Sequence, residues 1–156
     1  MKRIGILILT VAFTFPIFAQ QRPLWIQNVE ASIKEKESAL VLKNITEKNN
    51  EGWRQYAFST EYNGVPGNVS IEELGNVSNY EETFLGFVTV NNNLMGPNTG
   101  SREIKDFGDV GYLWYRVKDE SWKRLYFRRK RFIVEITLPE TIARRLAKII
   151  DDQISR

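Results

Sequence analysis

Apolar residues recur along the chain at intervals of three and four, and this spacing predicts three amphipathic helices. The first helix ends near Ser38 and has its apolar positions at Trp25, Ile26, Val29 and Ile33. The second begins at Ser78, which forms a capping box with Glu81, and ends before residues 91–93. The third begins at Pro139 and carries one apolar face, formed by Ile142, Ala143, Leu146, Ile149, Ile150 and Ile154.

Shorter segments rich in β-branched and aromatic residues predict strands at residues 53–62, 68–74, 102–107, 111–117, 122–128 and 131–138. Glycines and a proline at residues 63–67 predict a turn between the first two strands. Residues 92–101, NNLMGPNTGS, are the richest in turn-forming residues and predict a loop. The order of elements predicts an α+β fold, in which an antiparallel sheet of five to six strands packs with an N-terminal, a middle and a C-terminal helix.

The segment LYFRRKRFIVEI, residues 125–136, places four consecutive cations between two apolar runs and predicts a hairpin. A two-residue turn at Arg129 and Lys130 would place Arg128 opposite Arg131. The apolar side chains then share one core face, which contains Leu125, Phe127, Phe132, Val134 and Ile136. The sequence leaves open whether the cations contact an acidic partner or form a solvated hairpin tip.

Strand alternation through a turn near residues 119–120 adds Tyr112 and Trp114 to this core face. The opposite face then collects Tyr115, Trp122, Arg124, Tyr126, Arg128, Arg131 and Ile133. Arginine beside aromatic rings suits anionic or π-rich ligands, although arginine stems also cover such rings without any ligand.

The N-terminal residues predict export from the cytoplasm. Lys2 and Arg3 precede an apolar run at residues 4–15, and Ala19 is suited to cleavage, so residues 1–19 are interpreted as a signal peptide. A retained anchor is the alternative, but the run stops at Pro16, short of the about 20 apolar residues that a spanning helix needs. Residues 20–156 are then a single α+β domain, placed in the periplasm or outside the cell.

Loss of Lys2 and Arg3 reduces the 22 bases of the full chain to 20, against 19 acids, so the mature domain is almost neutral. The basic residues concentrate from Arg102 onward. The chain has neither histidine nor cysteine, which excludes Ser-His-Asp and Cys-His catalysis, disulfides, and zinc sites built from imidazole or thiolate ligands.

Two motifs resemble catalytic signatures without their context. Residues 106–108 spell the kinase magnesium triplet DFG, but no glycine-rich phosphate loop accompanies it. The carboxylate doublets at 72–73, 81–82 and 151–152 do not converge, because neighbours on a strand face opposite sides and those on a helix diverge. An enzyme that uses Asp, Glu, Tyr or Lys as its catalytic residue is therefore kept as an alternative, ranked below two classes of binding protein.

The segment FGDVGY, residues 107–112, has two glycines that permit unusual backbone angles. One interpretation is a tight corner in which Asp109 accepts hydrogen bonds from the amides of its own turn. The other makes Asp109 and Tyr112 part of a ligand-binding rim.

The segments DFGDVGYLWY, LYFRRKRFIVEI and ETIARRLAKIIDDQI resemble the C-terminal half of a group of small secreted bacterial proteins of unknown function. The pattern of that group is roughly GDEAY, then FRKGN with a strand, then an AKRFA helix. The resemblance implies a PsbP-type α/β/α sandwich and no particular activity. Val110 stands where the pattern has Glu, and Lys130 where it has Gly.

The sequence therefore favours a non-catalytic binding domain that recognises a protein or an anionic envelope component. The alternatives are a small-ligand pocket between sheet and helices, and a hydrolase independent of His and Cys. Export argues against nucleic acid as the partner, and no cofactor, metal ligand or catalytic residue is predicted. The candidate binding residues are Asp109, Tyr112, Tyr115, Trp122, Arg124, Tyr126, Arg128, Arg129, Lys130 and Arg131.

Overall fold

The computed structural model describes residues 22–75, 77–96, 98–118 and 123–156. The predicted signal peptide at residues 1–19 lies outside the described residues. Three helices and seven strands follow one another in the order α1 (Leu24–Lys36), β1 (Leu40–Asn50), β2 (Trp53–Tyr62), β3 (Val65–Leu74), α2 (Tyr80–Met95), β4 (Thr99–Ile104), β5 (Val110–Arg116), β6 (Lys123–Arg129), β7 (Phe132–Thr137) and α3 (Glu140–Ile154).

The strands form one antiparallel sheet in the order β1-β2-β3-β7-β6-β5-β4, which confirms the α+β prediction. The sheet has seven strands, so the predicted count of five to six was wrong. The missed strand is β1, an edge strand whose described residues are mostly exposed. Its alternation is weak because a bulge between Leu42 and Ile45 interrupts the register and the outer positions are polar.

Helices α1 and α3 pack together on one face of the sheet and enclose the larger core. The predicted apolar face of α3 is buried there in full. The five hairpin side chains assigned to one core face are also buried in this cluster: Leu125, Phe127, Phe132, Val134 and Ile136. The predicted core faces of α3 and of the hairpin are therefore both confirmed. Each depends only on the regular spacing of apolar residues within its own element.

Helix α2 covers part of the opposite face, over a smaller core of Leu74, Phe84, Trp114, Tyr126 and Ile133. Phe84 stacks on Tyr112 with ring centroids 6.2 Å apart, and Phe87 meets Tyr126 edge-on at 5.3 Å. The predicted placement of Tyr112 and Trp114 on the larger core face was wrong. Tyr112 pairs with Tyr126, and a difference of one residue in register moves every side chain of a strand to the other face.

The β6–β7 hairpin turns at Lys130 and Arg131, one residue later than predicted. Arg129 pairs with Phe132, and Arg128 pairs with Ile133. The prediction that Arg128 lies opposite Arg131 was therefore wrong. Relative to the predicted pairing, β7 is shifted by two residues along β6. Because side chains alternate with a period of two, this shift leaves each side chain on its predicted face.

Helix α2 begins and ends at different residues from those predicted. Its N-cap is Asn79, not Ser78, because the Asn79 side chain accepts hydrogen bonds from the amides of Glu81 and Glu82, both at 3.1 Å. The helix continues to Met95 and is followed by Gly96 at φ +79°. Since β4 begins at Thr99, most of the predicted loop at 92–101 belongs to regular structure.

Replacement of Phe127 by alanine is expected to lower the free energy of unfolding by about 3 to 5 kcal/mol, the usual cost of emptying the space of a buried phenylalanine. The Phe127 side chain is 0% exposed and meets Phe107 edge-on at 5.2 Å. Urea unfolding of the variant and the wild type measures the difference. Equal midpoints and slopes would contradict the burial of this face.

Replacement of Lys130 by glycine is expected to leave stability unchanged or to raise it slightly. Lys130 has φ +51°, a backbone region that glycine enters without steric cost, and its amide hydrogen bond does not need a side chain. The same urea unfolding experiment tests this expectation. A loss above about 1 kcal/mol would show that the lysine side chain outweighs the backbone strain.

Candidate functional site

Three of the four cations at the hairpin tip form ion pairs within the domain, and two of them share Asp109. Arg128 Nη1 lies 2.9 Å from Asp109 Oδ2, and Arg129 Nη1 lies 3.0 Å from Asp109 Oδ1. Arg129 also donates to both carboxylate oxygens of Asp151 on α3, at 2.5 and 2.6 Å. The hydrogen bonds to Asp151 raise the pKa of the Arg129 guanidinium further, so its charge is fixed by a structural partner.

Asp109 joins the β4–β5 connection to the hairpin. Besides the two arginines, its carboxylate accepts a 2.7 Å hydrogen bond from the Lys130 amide, and its own amide donates to the Arg128 carbonyl at 2.7 Å. Asp109 does lie at a corner directly before β5, as one of the two interpretations held, but these carboxylate hydrogen bonds run to the hairpin, because the register brings it within reach. Gly108 makes this approach possible: its φ is +71°, and a Cβ there would lie 2.8 Å from the Arg128 carbonyl oxygen.

The other two cations, Lys130 and Arg131, are exposed. Lys130 Nζ donates to the Ser155 carbonyl at 3.1 Å, and Arg131 Nη2 lies 2.7 Å from Glu73 Oε1. Three of the four cations therefore pair with three carboxylates, those of Asp109, Asp151 and Glu73, while Lys130 bonds to a backbone carbonyl. Only a small positive excess remains at the tip for an external anion.

The remaining predicted binding residues do not form one surface. Tyr115 was expected beside Tyr126, but strand alternation from buried Leu113 places Tyr115 on the opposite face, where Arg102 lies 6.0 Å from its ring. Tyr112 lies under α2, and Tyr126 is fully buried. Trp122 lies outside the described residues.

A polar cluster that the sequence did not predict as a unit lies on the sheet face that α2 partly covers. Arg124 Nη1 donates to the Tyr126 hydroxyl at 2.9 Å, and Arg124 Nε lies 3.3 Å from Glu135 Oε1. The Tyr126 hydroxyl donates to Asn91 Oδ1 of α2 at 3.4 Å. Burial raises the pKa of Tyr126, and the nearby Glu135 carboxylate raises it further, so this hydroxyl keeps its proton.

Glu72 extends the polar cluster toward β2. The Gln55 side-chain amide donates to Glu72 Oε1 at 3.1 Å and to Ser70 Oγ at 3.0 Å. Burial raises the pKa of Glu72; the Gln55 hydrogen bond opposes the rise and the charge of Glu135 adds to it. Burial likewise raises the pKa of Glu135, against the opposing charge of Arg124. The two carboxylates are diagonal neighbours on β3 and β7.

A cavity of about 410 Å³, hereafter the end groove, opens at the end of the sheet that carries the hairpin tip. It lies among the β1–β2 turn, the β3–α2 connection and the β6–β7 turn. Arg54, Glu73 and Arg131 form its charged part. Trp53, Tyr80, Asn49 and Asn50 also line it.

Backbone hydrogen bonds fix the position of the groove walls. The Gly75 amide donates to the Gly52 carbonyl at 2.7 Å and ties the β3–α2 connection to the β1–β2 turn. The Leu74 amide donates to the Arg131 carbonyl at 2.9 Å and ties β3 to the hairpin. A Cβ on Gly75 would lie only 2.7 Å from the Gly52 oxygen, so this close contact requires glycine.

Of the residues that line the end groove, the sequence predicted only Arg131 as a binding residue. Its residues come from three turns that are far apart along the chain, and no spacing rule relates them. One local signal was present: Trp53 and Arg54 directly follow the turn sequence NNEG. A large aromatic residue beside a cation at a turn is a combination found at binding sites.

Within the described ranges, no group of three or more acidic side chains is arranged to hold a metal ion. No helix in the described part of the chain has the length and apolar character needed to cross a membrane. Arg54 and Arg131 are the side chains of the end groove that would hold an anionic group of a ligand or cofactor.

No known protein family, curated protein or solved structure matches the chain. The resemblance of the C-terminal half to small secreted bacterial proteins therefore stays a prediction.

Replacement of Glu72 by glutamine is expected to stabilise the domain at pH 7. A raised pKa means that the folded state binds the proton more tightly, so the ionised carboxylate opposes folding above its folded pKa. The gain should shrink as the pH falls and vanish below the ordinary pKa of 4.5, where both states are protonated. Glutamine still offers an oxygen to Gln55.

Urea unfolding at pH 7 and at about pH 4 measures this difference. The matched control is Glu73→Gln, the next residue along β3, which faces the other side of the sheet and pairs with Arg131. That control should not stabilise the domain. A Glu72→Gln variant less stable than the wild type at pH 7 would contradict the expectation.

Proposed function

We propose that this chain is a non-catalytic binding domain that takes a small anionic ligand in the end groove. The observation that carries the proposal is the charge balance of the groove, where two guanidinium groups accompany one carboxylate. Arg131 pairs with Glu73, and Arg54 lies opposite Glu73 in the β2–β3 register. Among the groove side chains the two guanidinium groups outnumber the one carboxylate. Outside the groove lining, Arg54 also interacts with the Tyr56 hydroxyl, which donates to Glu47 Oε1 at 3.3 Å.

A planar guanidinium binds carboxylates and phosphates through two parallel hydrogen bonds, which makes arginine well suited to such a ligand. The volume of about 410 Å³ lies in the lower part of the range of about 300 to 1,000 Å³ that small-molecule sites occupy. The backbone ties at Gly75 and Leu74 support binding with little rearrangement.

The wider hypothesis, that the hairpin tip contacts a protein or an anionic envelope component, stays the second candidate. Its support is the exposure of Lys130 and Arg131. Its weakness is that Arg128 and Arg129 are committed to Asp109 and Asp151. Attraction between the exposed tip charges and a partner is screened beyond a Debye length of about 8 Å at physiological salt.

The same proposal includes export by a cleaved signal peptide and a PsbP-type sandwich. Export rests on the cationic residues and the apolar run before Ala19. The sandwich is supported by the placement of α1 and α3 on one face of the sheet and α2 on the other. Neither statement implies an activity, and the function rests on the groove.

Native mass spectrometry of the protein purified from the envelope fraction of its own organism tests the proposal. We expect a bound small anion on the wild type. The variant Arg131→Ser should lose about 90% or more of this occupancy at a limiting ligand concentration, because a charged hydrogen bond is worth roughly 1.5 to 3 kcal/mol.

The matched control is Arg116→Ser, which removes the same charge at the opposite end of β5 from the hairpin tip. It should retain the ligand. Equal occupancy in Arg131→Ser and the wild type would contradict the groove as the site. A bound protein without a small molecule would instead favour the second candidate.

A further inference from the structure

We propose that Asn63 is a site of spontaneous deamidation, at which the side-chain amide reacts with the backbone nitrogen of Gly64 and the residue becomes an aspartate or an isoaspartate. Asn63 and Gly64 form the turn between β2 and β3. This turn lies at the opposite end of the β2–β3 pair from the end groove, so the reaction does not involve the proposed ligand site.

The residue that follows Asn63 distinguishes it from the other asparagines. Asn63 precedes glycine, and this is the only Asn-Gly pair in the chain. Every other asparagine precedes a residue with a side chain, which shields the backbone nitrogen of that residue. Glycine has no Cβ, so other atoms can approach its backbone closely. Asn63 therefore meets the least steric resistance to attack by the next amide.

The reaction consumes water and needs no other reactant. The Gly64 nitrogen bonds to Asn63 Cγ, the Cγ–Nδ2 bond breaks, and Nδ2 leaves as ammonia with the proton of the Gly64 amide. Water then opens the cyclic succinimide at one of its two carbonyl carbons. Breaking the bond between nitrogen and Cγ gives aspartate. Breaking the bond between nitrogen and the main-chain carbonyl carbon gives isoaspartate, in which the chain runs through Cβ and Cγ.

The turn is open to solvent. Asn63 and Gly64 are both exposed, and a Cβ added to Gly64 would meet no atom within 4 Å beyond its chain neighbours. Tyr62 pairs with Val65, which leaves the two turn residues outside the ladder. Within the described residues, the Gly64 amide donates no backbone hydrogen bond. The attacking nitrogen is therefore held neither by packing nor by a backbone acceptor.

The backbone geometry of the turn restrains the reaction. Asn63 has φ +49° and Gly64 has φ +78°, the signs that a type I′ turn requires. In such a turn, ψ of the first residue is about +30°, which places the next nitrogen almost opposite Cβ across the Cα–C bond. Attack therefore requires rotation about this bond and transient opening of the Tyr62–Val65 pair. That pair is the last of the β2–β3 ladder, where local opening costs little free energy.

The two products change the hairpin differently. Aspartate keeps the length of the main chain and adds one negative charge at the turn. Isoaspartate adds one carbon to the main chain of a two-residue turn, so the Tyr62–Val65 pair loses its geometry. The β3–β7 pairing begins only at Asn68. We therefore expect either product to alter the tip of the β2–β3 hairpin and to leave the centre of the sheet in place.

Incubation of the folded protein at mildly alkaline pH, followed by labelling with protein L-isoaspartyl methyltransferase and a methyl donor, tests the proposal. Fragmentation of the labelled peptides in a mass spectrometer assigns the label to a residue. We expect position 63 to carry most of the label. A label that is absent from this position, or spread evenly over the asparagines, would overturn the proposal.

Two variants and one change of conditions sharpen the test. Asn63→Gln should lose the label at position 63, because its longer side chain would have to close a larger ring. The matched control Asn98→Gln changes another exposed asparagine, which precedes Thr99, and should keep the label at Asn63. The wild type unfolded in guanidinium chloride should be labelled faster than the folded protein, because no turn has to open. Equal rates in the two states would overturn the opening step.

Discussion

The antiparallel pairing of β3 with β7 is the contact on which the rest of the domain depends. It joins a three-stranded unit, β1 to β3, to a four-stranded unit, β4 to β7, that begins after α2. The register runs from Asn68 opposite Thr137 to Glu73 opposite Phe132. It makes both core faces continuous, and it brings the β6–β7 turn beside the end of β3, so that Arg131 reaches Glu73 and the end groove forms.

The cluster of cations has a role in folding that the hairpin alone does not reveal. Like charges that lie beside one another in a hairpin repel, so the stability of the isolated β6–β7 hairpin gives no reason to concentrate cations there. In the folded domain, Arg129 connects the hairpin to α3 through Asp151, and both Arg128 and Arg129 bind Asp109. The carboxylates come from residues that are distant in sequence. These long-range ion pairs offset the repulsion between neighbouring cations and connect the hairpin, the β4–β5 connection and α3.

Local patterns predicted those features that depend only on periodicity. The apolar face of α3 and the core face of the hairpin are both correct, the latter because an error of two residues in register preserves the side on which each residue lies. The faces of Tyr112 and Tyr115 depend on the length of the β5–β6 connection, where an error of one residue inverts the strand. The end groove and the polar cluster could not be predicted, because tertiary pairing brings their residues together.

The unequal covering of the two sheet faces has a consequence for the order in which the domain opens. The face under α1 and α3 is sealed by a continuous apolar core, whereas the face under α2 includes half-buried carboxylates and a buried tyrosine hydroxyl that bonds to Asn91. Regions with fewer apolar contacts detach first in native-state hydrogen exchange. We therefore expect the amides of α2 to exchange before those of the larger core, with most of the sheet still in place.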